Sequence, residues 1–245
     1  MEFKRRLTLT ASVKMGISFE IVEQKLFEAD FFLERLNKSG FKMDEARYYF
    51  SAFLSSARSV TFTLQASLSD TDEFKDWYEI KQKELGNIPL AKFFLKARND
   101  SQKVGLYHIN IGRTLNNNTE YFFAPFDDSY KFVPETDLYT AGKQFLKILL
   151  EVVYDCFQVF GEIIDPEKHY SIDAIKKRGQ TVKDIEYEVW GYNKWTDFGI
   201  SEEETLKYIL NKMVKSTIDI LFVKYLGKTK NGETIVNEKK PAANK

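Results

Sequence analysis

The sequence predicts a mainly α-helical protein with a small antiparallel β element, and three observations carry that prediction. Apolar residues recur at helical spacing between residues 18 and 98, and again over 138–164 and 201–227. Strict alternation is confined to residues 3–13 and to two short runs on either side of Asn116–Asn118. The 245 residues are 43% hydrophobic, with 21 Phe and 13 Tyr, which is enough apolar volume to fill a substantial core.

In chain order, Phe3, Arg5, Leu7, Leu9, Ala11 and Val13 alternate with Lys4, Arg6, Thr8, Thr10 and Ser12, the pattern of a half-buried strand. After Gly16 and Ser18 the stripe Val22, Leu26, Ala29, Leu33, Leu36 predicts an amphipathic helix that stops at Ser39-Gly40. A second helix, from about Asp44 to Leu68, carries Ala46, Phe50, Phe53, Leu54, Ala57, Thr61 and Leu64. On it Arg47 and Arg58, eleven positions apart, share a face. A third opens at Asp70 or Asp72 as cap, places Phe74, Trp77, Tyr78 and Leu85, and ends at Gly86. A fourth begins with Pro89 in its first turn and carries Leu90, Phe93, Phe94 and Ala97 toward Arg98.

From Val104 the period returns to two, and with Glu120 to Ala124 it predicts a hairpin to which the N-terminal strand is a third member. Leu138 to Ile164 reads as one long apolar helix closed by Pro166. Residues 165–200 hold a short helix at Ser171–Lys177 and the aromatics Tyr187, Trp190, Tyr192, Trp195 and Phe198, without a further assignment. Ser201 and Glu204 form a capping box for a final helix through Met213, Ile218 and Phe222 to Gly227. The predicted organisation is a single domain over 1–227 with a hairpin inserted at about 104–126, followed by a disordered polar tail over 228–245.

Lys+Arg and Asp+Glu both number 36, so no global field draws the chain onto nucleic acid or an anionic membrane, and any RNA contact has to be local. One cysteine, Cys156, and two histidines, His108 and His169, leave no intramolecular disulfide and no Cys/His set for a structural zinc. Met1 to Lys14 is charged and alternating, unlike a secretory signal, and charge interrupts every long apolar run, so a cytoplasmic protein without a membrane partner is expected. No phosphate-binding glycine loop, dinucleotide fingerprint, metalloprotease helix or serine elbow occurs.

The run Glu45-Ala46-Arg47-Tyr48-Tyr49-Phe50, then Ala52-Phe53-Leu54-Ser55-Ser56-Ala57-Arg58-Ser59-Val60, a helix bearing Trp77, and finally Arg98-Asn99 resembles the HEPN superfamily of helical bundles. The resemblance covers about residues 18–105, with the 138–164 helix as a further bundle member. It implies a HEPN-like helical bundle. Active members are metal-independent endoribonucleases that need no cofactor, typically homodimers whose motifs meet at the interface, and many serve toxin–antitoxin or antiviral defence systems. In the family an arginine, usually followed by a polar residue, precedes a histidine by a few positions. Here the segment reads Arg98, Asn99, Asp100, Ser101, Gln102, Lys103, with lysine in the histidine's place.

That departure has a chemical consequence. Attack of a 2′-OH needs a group that exchanges a proton near neutral pH, which histidine does and lysine, with an unperturbed pKa of about 10.4, does not. Arg98 keeps a planar fork suited to phosphate. The resemblance thus implies ligand-binding residues Arg98, Asn99 and Lys103, with Arg58 added from the second helix. If the chain is an enzyme, Arg98, Asn99 and Lys103 are the catalytic candidates.

Each of these residues has a structural reading too. Arg98 serves equally as a helix C-terminal cation with Asn99 at the cap, and Arg47 and Arg58 can cover core with their stems. His108, ten residues beyond Arg98, reads as a strand-edge residue or as a substitute base, and His169 as a loop residue. The expected function is a HEPN-like protein without ribonuclease activity that binds RNA, a nucleotide or a protein partner. An active endoribonuclease, and a protein-interaction module built on Trp190 and Trp195, are the alternatives. Two geometric expectations follow: Arg98 and Lys103 converge if the helix ends near Asn99, and Phe93 and Phe94 anchor a homodimer beside the motif.

Overall fold

The computed structural model describes residues 19–115, 118–124, 128–192, 198–213 and 215–235. The fold is mainly α: ten helices and one two-stranded antiparallel sheet among the described residues. The predicted strand over 3–13 lies outside the described residues; among those described, the sheet is the hairpin alone. The chain divides into two compact units, a larger one of Ile21–Tyr154 with Ile218–Lys245 and a smaller one of Met1–Glu20 with Asp155–Thr217.

The larger unit begins with α1 (Glu20–Asn37), which buries Val22, Leu26, Ala29, Leu33 and Leu36 as the periodicity requires. Helix α2 (Met43–Leu68) opens with Asp44 and Glu45, whose charges suit the positive end of the helix dipole. It turns Ala46, Phe50, Phe53, Leu54, Ala57, Val60 and Leu64 inward. Neither Asp70 nor Asp72 caps α3 (Phe74–Asn87). Its N-cap is Glu73, without a side-chain bond, because a turn in which Phe74 N donates to Thr71 O occupies the residues between. Gly86 lies inside α3. The break falls instead at Ile88, whose extended backbone is what a following proline imposes, and Pro89 opens α4 (Pro89–Lys103).

Helix α4 does not end near Asn99 as expected but continues to Lys103. Ser101 is buried and back-bonds to Arg98 O, and the turn comes only at Gly105, with φ at 71°, after Val104 N and Leu106 N have both bonded to Asp100 O. Strands β1 (Ile109–Leu115) and β2 (Asn118–Phe123) follow, with Ile109 opposite Phe123 and an irregularity between Ile111 and Arg113. Helix α5 (Leu138–Ile164) has the predicted bounds and departs from helical backbone at Phe160. Its first part, to Tyr154, belongs to the larger unit.

Aromatic rings fill that unit's core. Phe94 stacks on Phe145 at 4.6 Å, Phe53 meets Phe94 edge-on at 5.9 Å, and Phe93 meets Phe123 at 4.8 Å. Each buried Phe contributes about 1.5–3 kcal/mol by leaving water. This corrects one expectation: Phe93 and Phe94 are buried inside the protomer and cannot anchor a dimer.

The smaller unit holds α6 (Pro166–His169), α7 (Ile172–Lys177), α8 (Val182–Trp190) and α9 (Glu202–Lys212). Each is started by a side chain that accepts a backbone N–H: Asp165, Ser171, Thr181 and Ser201 in turn. Their apolar faces meet in one cluster of Tyr170, Ile175, Val182, Ile185, Leu206 and Ile209. The single final helix predicted to Gly227 is two: Met213 is extended, and α10 (Asp219–Leu226) starts anew after Ile218. The apolar spacing runs across the break because Leu206 and Ile209 serve the smaller unit's cluster while Leu221 and Phe222 serve the larger unit. Where a disordered tail was expected from 228, Lys228 bridges Thr234 and Lys230 N donates to Asp219; residues 236–245 lie outside the described residues. No described helix is long and apolar enough to cross a membrane.

Candidate anion site

Helices α2 and α4 pack on each other, and one polar bond fixes which faces meet: Gln102 Nε2 donates to Ser51 Oγ at 3.1 Å. Arg58 lies seven residues after Ser51, about two helical turns, and so shares its face; Arg98 lies four residues before Gln102, about one turn, and shares that face. The two arginines therefore lie on adjoining sides of neighbouring helices, near enough that the Arg98 charge acts on Arg58.

Arg58 is half-buried. Its Nη1 donates to Thr61 Oγ1 at 3.0 Å, and its guanidinium carbon sits 4.2 Å from the centre of the Phe62 ring. Phe62 is 51% exposed. Burial, with the nearby Arg98 charge adding to it, holds the Arg58 pKa below its ordinary value. Helix α3 brings Tyr78, whose hydroxyl donates to Thr61 O at 3.0 Å and whose burial pushes its pKa up, so it is a neutral phenol.

Arg98 Nη1 donates to Asn99 Oδ1 at 3.3 Å, and its Nε is buried without a hydrogen-bond partner. Among the described residues no carboxylate pairs with Arg58 or Arg98. Arg47, on the same face of α2, does have one: Asp44 at 3.5 Å, in an exposed pair. Two neighbouring, partly buried guanidiniums with no carboxylate partner among the described residues make a candidate cradle for an anion, with fork-shaped donors that match phosphate oxygens.

The other predicted residues go elsewhere. Because α4 continues, Lys103 projects about 140° around the helix from Arg98 and is exposed, so the two cations do not converge. Asp100, about 160° from Arg98, heads a separate cluster. It pairs with Lys96 at 3.1 Å, accepts from the Tyr130 hydroxyl, and lies 3.4 Å from His108 Nε2. Burial would raise the Asp100 pKa, but Tyr130, Lys96 and His108 outweigh it and hold the carboxyl below its usual range. His108 thus stands just ahead of β1 rather than within it, on the opposite flank of α4 from Arg98. His169 Nδ1 contacts Glu162 O at 2.7 Å in the smaller unit.

Arg58, Arg98 and Asn99 are candidates that the sequence already names; Thr61, Phe62 and Tyr78, which the structure places beside Arg58, are not. The i, i+4 placement of Arg58 and Phe62 was an available signal; Tyr78 depends on how α3 folds back and had none. Trp190 packs edge-on with Tyr208 at 5.6 Å and against the small unit's cluster, whereas Trp195 lies outside the described residues.

No curated protein and no solved structure matches the chain. Residues 16–112, which include α1 to α4 and with them Arg58, Arg98, Asn99 and Lys103, match the family model described as bacteriophage lambda protein ea47.

Proposed function

We propose that this is a HEPN-like protein that binds RNA or a nucleotide through phosphate at Arg58, Arg98 and Asn99 and does not cleave it. The observation that carries this reading is the neighbouring pair of arginines, partly buried and without a carboxylate among the described residues. Arginines that merely finish a helix or cover core are usually paired or point their heads to water. Neither described histidine stands beside the arginines: His108 is engaged with Asp100 on the other flank of α4, and His169 lies in the smaller unit. Binding without proton transfer is the chemistry left.

The regulatory, toxin–antitoxin or defence setting rests on the HEPN resemblance alone, and so does the homodimer. With Phe93 and Phe94 inside the core, the described apolar residues nearest the motif in sequence that stay exposed are Leu95, Val104, Leu106 and Tyr107. A second reading, the active metal-independent endoribonuclease, is favoured by one observation: the 3.4 Å approach of His108 to Asp100, an arrangement that orients an imidazole.

The test is a titration of the full chain with single-stranded RNA at two ionic strengths, repeated for Arg58→Gln with Arg98→Gln, alongside a cleavage assay. Salt-sensitive binding lost in the double variant, with intact RNA, supports the proposal. Metal-independent cleavage abolished by His108→Ala supports the second reading. Binding unchanged in the double variant, as for a protein-partner module, overturns the proposal, and the absence of cleavage overturns the second reading.

A further inference from the structure

The charge at Arg58 and Arg98 bears on which kind of phosphate fits between them. Arg58 and Arg98 bring two positive charges together, and every side chain named around them is neutral: Ser51, Thr61, Phe62, the phenol of Tyr78, Asn99 and Gln102. Asp44, the carboxylate next along this face of α2, is exposed and paired with Arg47. An internal phosphodiester carries one negative charge and leaves one guanidinium uncompensated in a partly buried place. A terminal phosphate monoester carries close to two above its second pKa of about 6, and it has three terminal oxygens to meet two forks.

From this geometry, and resting on the anion-binding reading above, we infer that the Arg58–Arg98 cradle selects a terminal phosphate monoester, on a nucleotide or at the phosphorylated end of an RNA chain, over an internal phosphodiester. The half-exposed Phe62 ring beside Arg58 supplies a surface on which the attached base stacks, which a bare phosphate does not use.

The experiment compares two oligoribonucleotides of one sequence, 5′-phosphorylated and 5′-hydroxyl, together with a nucleoside 5′-monophosphate and inorganic phosphate. Each is titrated against the full chain at pH 8 and pH 5.5 at matched ionic strength. The phosphorylated oligonucleotide is expected to bind about tenfold or more tightly than its hydroxyl counterpart at pH 8, a difference of the size of one charge-assisted contact. The advantage shrinks at pH 5.5 as the monoester takes up a proton. Phe62→Ala should weaken the nucleotide by a larger factor than it weakens inorganic phosphate, and an equal loss for both would remove the stacking role.

If the mononucleotide binds as tightly as the phosphorylated oligonucleotide, the ligand is a free nucleotide; if far more weakly, it is an RNA end. Equal binding of both oligonucleotides, lost in Arg58→Gln with Arg98→Gln, overturns the selectivity and keeps the anion site. Absence of binding by any anion, or binding that survives the double variant, overturns the site itself. The wild-type comparison stands even if a variant fails to fold.

Discussion

Lys224 Nζ lies 2.7 Å from Asp30 and 2.9 Å from Glu34, which joins α10 to α1 across 194 and 190 positions of sequence. Tyr225 donates to the same Asp30 and Tyr139 to the same Glu34, so two carboxylates, one ammonium and two phenols form one network. Lys224 is more than a third exposed, and exposed pairs contribute about 0–1 kcal/mol, so Lys224→Met should cost no more than about 1 kcal/mol. Tyr225→Phe removes a better-buried donor and should cost about 1 kcal/mol. Urea denaturation of the two variants measures both.

The same network sets a pH window. Burial would raise the Glu34 pKa, but hydrogen bonds from Lys224 and Tyr139 leave it below 4.5; its contribution is present above that value and lost as pH falls through the depressed one. Burial and the Glu34 contact push the Tyr139 pKa up to about 12, so its contribution is complete below 10 and lost as pH rises toward 12. The melting temperature is expected to be flat between these limits and to fall on both sides. In Tyr139→Phe the alkaline arm should be shallower.

If two uncompensated arginines neighbour each other, a phosphate dianion should stabilise the protein as a ligand does, by about 2.7 kcal/mol at a hundredfold excess over Kd. Differential scanning fluorimetry in phosphate against chloride at equal ionic strength should show a rise of several degrees for the wild type. Arg58→Gln with Arg98→Gln should show none.

Lys103→His should create no ribonuclease. The new imidazole would project about 140° from Arg98 on an unbroken helix and into solvent. Metal-independent cleavage by this variant, absent from the wild type, would show that the helix end rearranges when RNA binds.

Gly142 sits where a Cβ would come within 2.5 Å of the buried Leu33 Cδ1, which is how α1 and α5 approach closely. Gly142→Ala forces Leu33 to move, an overpacking cost of about 1–3 kcal/mol that exceeds the gain of about 1 kcal/mol in helix propensity. Adding Leu33→Val should recover part of the loss in a denaturation curve, as neighbours sharing one space are not additive.

The long helices were legible because each shows one face to one core; the bounds of α2 and α5 fall within a residue of the spacing's prediction. The short helices α6 and α8 were not, since four or nine residues give too few turns for a period and the caps alone announce them. Thr181 and Asp184, a reciprocal capping box, carried that announcement unread. The break after Met213 was hidden because apolar spacing is blind to which core a residue joins. At the site, the arginines were legible by type and Lys103 misread in place, because nothing local distinguishes a helix ending at Asn99 from one sustained four residues further by Ser101 and released by Gly105.

The return of α10 to α1 has a consequence for synthesis. The larger unit is discontinuous in sequence, with residues 155–217 placed between its two parts, and Lys224 and Tyr225 that tie it off are among the last described residues to leave the ribosome. Closing so long a loop adds little entropy over a shorter one, because the cost grows only with the logarithm of length. The delay is temporal instead: α1 to α5 must wait for the smaller unit's residues to be translated before α10 exists to dock, so the nascent chain carries Asp30 and Glu34 without their lysine until residue 224 has been added.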